Sequence, residues 1–352
     1  MPIRCAAAHT SALQARRRTG QVISLLSRNW RNYGTELYWH GVVIACHKRD
    51  EAQRTLISLQ SEPSVTQLVR QILIVCGPHD VQTVLGWGSA WPKLLQGLNR
   101  LDSVEIETPP DLAAAVFGGH SPTSVQLPTL SHLSVDTANW GDPLPLPPPL
   151  PAPSFQQLER LHFDGIYAPG TDEEEFLELL LSIVDLSTLR HLDVTIARLD
   201  RLFFRSLSKC ANLQTLRCCT LPSLNEVGFK RFIRVLGSIG VDTLLHLVLD
   251  FTCVGKSRPP LVGVDELTRL FNVISMHSAL KTVAIGVDLL EHHAALEMFL
   301  ASLKAAKLVK FSYITWEVAR LERLRVQYAS RTEPGEEGGG ARWEREEDGV
   351  DV

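Results

Sequence analysis

Leu158-Glu159-Arg160-Leu161-His162-Phe163 decides the fold. Its apolar residues stand first, fourth and sixth, and the residue between the last two, His162, is polar. Leu161 and Phe163 are two apart, so on a β-strand both leave the same face. Leu158 lies in the turn that leads in and also points inward, and His162 faces solvent. The same pattern recurs as Val69, Ile72, Ile74; Leu101, Val104, Ile106; Leu130, Leu133, Val135; Leu189, Leu192, Val194; Leu213, Leu216, Cys218; Leu244, Leu247, Leu249; Leu280, Val283, Ile285; and Leu308, Phe311, Tyr313. That makes nine copies, whose starts are 24 to 36 residues apart by subtraction. One short strand cannot bury its apolar side alone, and parallel stacking of neighbours makes a continuous core.

The segments between copies carry helical spacing. Asp172–Asp185, Asp200–Lys209, Asn225–Ile239, Val264–His277 and Leu289–Lys304 each place aliphatic or aromatic residues three and four apart. In Asn225–Ile239 the predicted apolar face is Val227, Phe229, Phe232, Ile233 and Leu236. Strand, turn, helix and turn at about 30 residues predict an α/β fold, a right-handed solenoid with a curved parallel sheet and helices on its convex side. A doubly wound α/β domain also alternates strands and helices, but its strands read as unbroken apolar runs. Gly86-Trp87-Gly88 does not complete a dinucleotide-binding loop.

The strand motif resembles the leucine-rich-repeat family over about Ser64–Thr315. Regular members carry Asn or Cys three residues after the third apolar position. Here those places hold Gly77, Pro109, Ala138, Ile166, Ala197, Leu221, Thr252, Asp288 and Trp316. The resemblance therefore implies degenerate repeats in an uneven arc.

Gln21–Trp39 places Val22, Leu25, Leu26, Trp30, Tyr33 and Leu37 on one helical face, suited to cap the open end of stacked repeats. Leu26-Ser27-Arg28-Asn29-Trp30-Arg31, then Leu37-Tyr38-Trp39 and Val42-Val43-Ile44, resemble the C-terminal half of an F-box. Met1–Gly20 holds nothing like its Leu-Pro-acid opening. An F-box followed by irregular repeats is a common fungal arrangement. The resemblance implies docking of a Skp-type adaptor through Leu26, Trp30, Leu37 and Trp39, and the role of substrate-recognition subunit of a cullin-type ubiquitin ligase. A repeat scaffold or regulator with no ligase link is the alternative.

The predicted organisation is a disordered basic start at 1–20, an F-box-like helical cap at 21–62, the degenerate repeat solenoid at 63–329 and a disordered acidic tail at 330–352. The Pro-rich segment 141–153 is an extended crossing, with seven prolines in thirteen residues. The first 35 residues hold six arginines and no acid, a composition shared with mitochondrial transit peptides, but the periodicity from Gln21 reads as a cap.

A net charge of −4 gives no case for nucleic acid. Seven Cys without a CxxC pair fit neither a disulfide framework nor a zinc site and predict a reducing compartment, cytoplasmic or nuclear. No apolar run spans a bilayer, so no membrane partner is expected. No catalytic motif appears, and the sequence predicts neither an enzyme nor a cofactor nor a metal site. The expected working surface is the concave sheet face, with His132, Arg160, His162, Asp164, His191, Asp193, Arg217, His246 and Asp250 gripping a target protein.

Overall fold

A computed structural model of the chain describes residues 2–26, 28–76, 90–107, 127, 129–136, 155–165, 177, 180–181, 184–196, 201–220, 226–250, 264–286, 308–313, 324–329 and 342–346. The chain forms two compact units, Met1–Asp185 and Leu186–Val352. Both are α/β, with strands laid parallel in chain order.

In the first unit, helix α1 (Pro2–Leu26) and helix α2 (Arg28–Trp39) lead into strand β1 (Gly41–Ala45). Helices α3 (Arg49–Ser61) and α4 (Pro63–Thr66) follow, then β2 (Gln71–Val75), α5 (Ala90–Gly97), β3 (Ser103–Glu107), β4 (His132–Asp136) and β5 (Arg160–Asp164). Strands β1 to β5 pair in parallel, each with the next. In the second unit, β6 (His191–Ile196), α6 (Arg201–Leu207), β7 (Thr215–Thr220), α7 (Glu226–Leu236), β8 (His246–Asp250), α8 (Val264–Ser275), β9 (Thr282–Gly286) and β10 (Leu308–Tyr313) alternate, and the strands are again parallel. Strands β11 (Leu324–Ala329) and β12 (Arg342–Glu346) then add antiparallel.

The nine sequence copies coincide with β2 to β10. Val69, Leu101, Leu130, Leu158, Leu189, Leu213, Leu244 and Leu280 are all at most 1% exposed, and so are the strand pairs Leu133/Val135 and Leu247/Leu249. Apolar burial of this kind contributes about 25 cal/mol per Å² and is the main force holding each strand to its neighbours. The helices close the core from the same side: Phe203, Phe232 and Phe271 are at most 2% exposed, and Phe204 of α6 meets Phe232 of α7 at 6.2 Å between ring centroids.

The turns into β2 to β5 and β7 to β9 repeat one hydrogen-bond device. The N–H groups of Ser131 and His132 both donate to Asp102 O, and those of Glu159 and Arg160 to Ser131 O. In the second unit Gln214 and Thr215 share Arg190 O, Leu245 and His246 share Gln214 O, and Lys281 and Thr282 share Leu245 O. Side chains assist where a polar residue falls beside the first apolar position. Thr129 Oγ1 donates to Leu101 O at 2.9 Å, Thr243 Oγ1 to Leu213 O at 3.0 Å and Asn212 Nδ2 to Ser187 O at 2.7 Å. These bonds satisfy backbone carbonyls in the turns that lead into the strands.

Several expectations are corrected. Residues 1–20 are not a disordered start: they belong to α1, whose Cys5-Ala6-Ala7-Ala8 run and Pro2 at the first helical position favour helix. The predicted helix Gln21–Trp39 is divided between α1 and α2, and α2 folds back along α1. Gly20 and Gly34 sit at the crossing, where a Cβ on Gly20 would stand 2.5 Å from Tyr38 N and one on Gly34 2.5 Å from Ser24 N. Close backbone approach therefore replaces bulky side chains as the packing face, and Val22, Trp30 and Tyr33 are left 58%, 55% and 54% exposed.

Val42-Val43-Ile44, strand-like in sequence, is a strand, and it joins the parallel sheet in register with β2, Val42 opposite Ile72 and Ile44 opposite Ile74. Leu73, at a position expected to face solvent, is 1% exposed, so β2 is covered on both sides. Val227 leaves the predicted apolar face of α7 and is 57% exposed, because the buried stripe is Phe229, Phe232, Ile233 and Leu236. The tail is not wholly unstructured, since Arg342–Glu346 pairs with β11 and sets Glu346 opposite Arg325. The Pro-rich segment 141–153 and the predicted helix Leu289–Lys304 lie outside the described residues. No described helix is long and apolar enough to cross a membrane.

Candidate functional site

Strand alternation sends polar side chains out of the face opposite the core. In the first unit, the β4–β5 register sets His132 beside Arg160, Ser134 beside His162 and Asp136 beside Asp164. Arg160 is exposed, and His132 and His162 are half-buried. Asp164 corrects the sequence reading: it is only 3% exposed. Alternation fixes the direction in which a side chain leaves the sheet, not whether chain lies over it. Glu107, Asp136 and Asp164 form one acidic row across β3, β4 and β5, of which the sequence reading missed Glu107.

In the second unit, β6 to β9 carry an ordered row at their first positions: His191, Thr215, His246 and Thr282. His191 Nδ1 lies 3.0 Å from Thr215 Oγ1, and His246 Nδ1 lies 2.8 Å from Thr282 Oγ1. Each imidazole is thus clamped to the hydroxyl of the following strand. Two residues along, Arg217 Nη1 meets Asp193 Oδ2 at 3.4 Å. The Arg217 side chain is 53% exposed and that of Asp193 27%, so the pair contributes at most about 1 kcal/mol and holds Arg217 only lightly. The Asp250 side chain lies outside those described.

Thr215 and Thr282 were missed as members of this face. Their signal was present in the repeat itself, since both stand immediately before the second apolar residue, the column that holds His191 and His246.

Of the residues tied to adaptor docking, Trp30 is exposed and packs edge to face on Tyr33 at 6.0 Å. Leu37 and Trp39 are half-buried. Trp39 packs on Tyr38, and the Arg17 guanidinium lies 4.5 Å from the Tyr38 ring and donates to its hydroxyl at 2.7 Å. The Leu26 side chain lies outside those described.

Among the described residues two titratable groups depart from their ordinary behaviour, and both lie in the core of the second unit. Burial lowers the His277 pKa, against the raising effect of backbone hydrogen bonds at Gly240 and Leu236. Its Nε2 is 3.1 Å from Leu236 O, which assigns the ring hydrogen to Nε2. Burial pushes the Cys210 thiol up to about 12. Neither group opens on the polar face. Among the described residues, no cluster of three or more His, Cys, Asp or Glu side chains could hold a metal ion.

No protein family matches the chain, and no curated protein matches it. Among solved structures it is similar to a Bacteroides fragilis protein determined as a structural-genomics target, at 13% identity and a TM-score of 0.40, over 74% of this chain and 71% of that one.

Proposed function

We propose that the chain is a protein-binding repeat protein of the leucine-rich-repeat kind, which grips a target on the polar face of its parallel strands. The observation that carries this reading is the clamped row His191–Thr215 and His246–Thr282 with the Arg217–Asp193 pair beside it. Side chains held in order on a rigid sheet, opposite a continuous core, give a partner fixed register and complementary charge.

The F-box-like stretch extends the reading. The hairpin of α1 and α2 would dock a Skp-type adaptor, with Trp30 and Tyr33 as exposed anchors, and present the bound target to a cullin-type ubiquitin ligase. Exposed aromatic residues of this kind commonly dominate interface energetics. The second reading, a scaffold with no ligase link, is favoured by one observation: residues 2–26 form a basic helix rather than an F-box opening.

Affinity capture with the full chain separates them. Charge reversal at Arg217 should abolish target capture and leave adaptor capture intact. Trp30→Ala with Tyr33→Ala should do the opposite. A purified Skp-type adaptor that fails to bind the full chain removes the ligase reading, and target capture indifferent to Arg217→Glu removes the platform reading.

A further inference from the structure

We propose that the polar face of β7 and β8 is a receptor for a phosphoryl group carried on a protein segment, built from Thr215, Arg217 and His246. The inference deepens the platform reading by naming the partner's chemistry.

Thr215 and His246 are cross-strand partners in the β7–β8 register, which places their strands about 4.8 Å apart. Arg217 leaves the same face two residues along, about 6.6 Å from Thr215. Three donor-bearing side chains therefore border one patch. His246 is oriented by its Nδ1 contact to Thr282 at 2.8 Å. With the Thr282 hydroxyl donating, the ring hydrogen sits on Nε2, the nitrogen directed away from Thr282. Thr215 is oriented by His191 at 3.0 Å. In the tautomer whose His191 Nδ1–H donates to Thr215 Oγ1, the hydroxyl hydrogen is left for a ligand.

Asp193 decides between anions. It holds Arg217 at 3.4 Å through an exposed pair that a stronger anion can displace, and it repels every anion that approaches. A side-chain carboxylate brings one charge and two oxygens. A phosphate monoester brings close to two charges and three acceptor oxygens, which match the three donors and compete better for the guanidinium.

The test uses the full chain and a fluorescent pool of phosphoserine and phosphothreonine peptides with degenerate flanks. The same pool unphosphorylated, and with Glu at the central position, are the comparison arms, and anisotropy is the readout. The phosphorylated pool should bind and inorganic phosphate should compete. Arg217→Ala or His246→Ala should each weaken binding about tenfold, as loss of a charge-assisted bond does. Asp193→Asn should tighten it. Arg217 is exposed, so its loss leaves the fold in place. Equal binding of the unphosphorylated pool, or indifference to Arg217→Ala, overturns the proposal, as does failure of every peptide to bind. A target captured by this face without phosphorylation overturns it too, while leaving the platform reading standing.

Discussion

Replacing Gly20 or Gly34 by Ala tests the hairpin, because two effects of known size oppose each other. In a helix interior, Gly→Ala stabilises by about 1 kcal/mol through backbone entropy. Gly20 and Gly34 are both interior to their helices. At Gly20 the new methyl would lie 2.5 Å from Tyr38 N, 2.7 Å from Gly34 O and 2.9 Å from Tyr38 Cα. At Gly34 it would lie 2.5 Å from Ser24 N and 2.6 Å from Gly20 O. Every one of these neighbours is backbone, so no side chain can rotate away. Ordinary contact begins at 3.4 Å, and the helices must part by roughly 1 Å at the crossing to reach it. Overpacking costs about 1–3 kcal/mol, and clashes against backbone belong at the upper end. The balance is a net loss of about 2 kcal/mol, or roughly thirtyfold faster amide exchange by local opening. Hydrogen exchange across residues 13–39 reads this directly. Gly97→Ala is the control, since nothing lies within 4 Å of a Cβ there, and it should be neutral or stabilising by up to about 1 kcal/mol. If Gly20→Ala slows exchange in the hairpin, the intrinsic propensity has won and the close crossing does not exist.

The core makes a second prediction. Leu216 and Leu247 are fully buried, so Leu→Ala at either should cost about 2–5 kcal/mol in urea denaturation, whereas Arg217→Ala should stay within about 1 kcal/mol. His277 supplies a pH dependence. Its folded pKa is lowered below the unfolded value of 6.5, so its contribution to stability is complete above that value and is lost as pH falls through the folded pKa. His277→Gln should flatten that part of the profile between neutral and mildly acidic pH, and an unchanged profile refutes the assignment. Cys46, Cys76, Cys210 and Cys218 are buried thiols outside any disulfide, and burial pushes Cys210 up to about 12. None should react with an aromatic disulfide reagent in the native state, and all four should react on unfolding.

The strands were legible because their signal is local. Two apolar residues a step of two apart, with a third in the lead-in turn, need no knowledge of the rest of the chain. What the pattern could not supply was cover from the other side. Leu73 and Asp164 obey the alternation yet are buried, because other parts of the chain lie over them and no local period encodes that. The hairpin was misread for a related reason. Hydrophobic spacing assumes that large apolar residues mark the packing face, and at Gly20 and Gly34 the packing face is marked by the absence of side chains. Small-residue crossings leave aromatic residues such as Trp30 and Tyr33 outside, where their spacing imitates a buried stripe.

The candidate site was half legible in the same sense. Alternation placed His191, Asp193, Arg217 and His246 on one face, and the structure brings them together in the second unit. The threonines that give the imidazoles their orientation were invisible to a search for chemically reactive side chains. A threonine hydroxyl near a histidine has no sequence motif when the two are 24 or 36 residues apart. Aligning the copies by column recovers them, since a repeat converts distance along the chain into adjacency between strands. The column that reads His, Thr, His, Thr is therefore the informative object, and no single member of it is. This also makes the clamp separable from the face's charge. Thr282→Val keeps the shape of the side chain and removes the hydroxyl, so it should leave stability nearly unchanged while releasing the His246 ring. Imidazole NMR on the full chain would show this as faster ring motion at His246 alone. If that ring stays as ordered in Thr282→Val as in the native chain, the hydroxyl does not hold it and the row is only a coincidence of exposed polar residues.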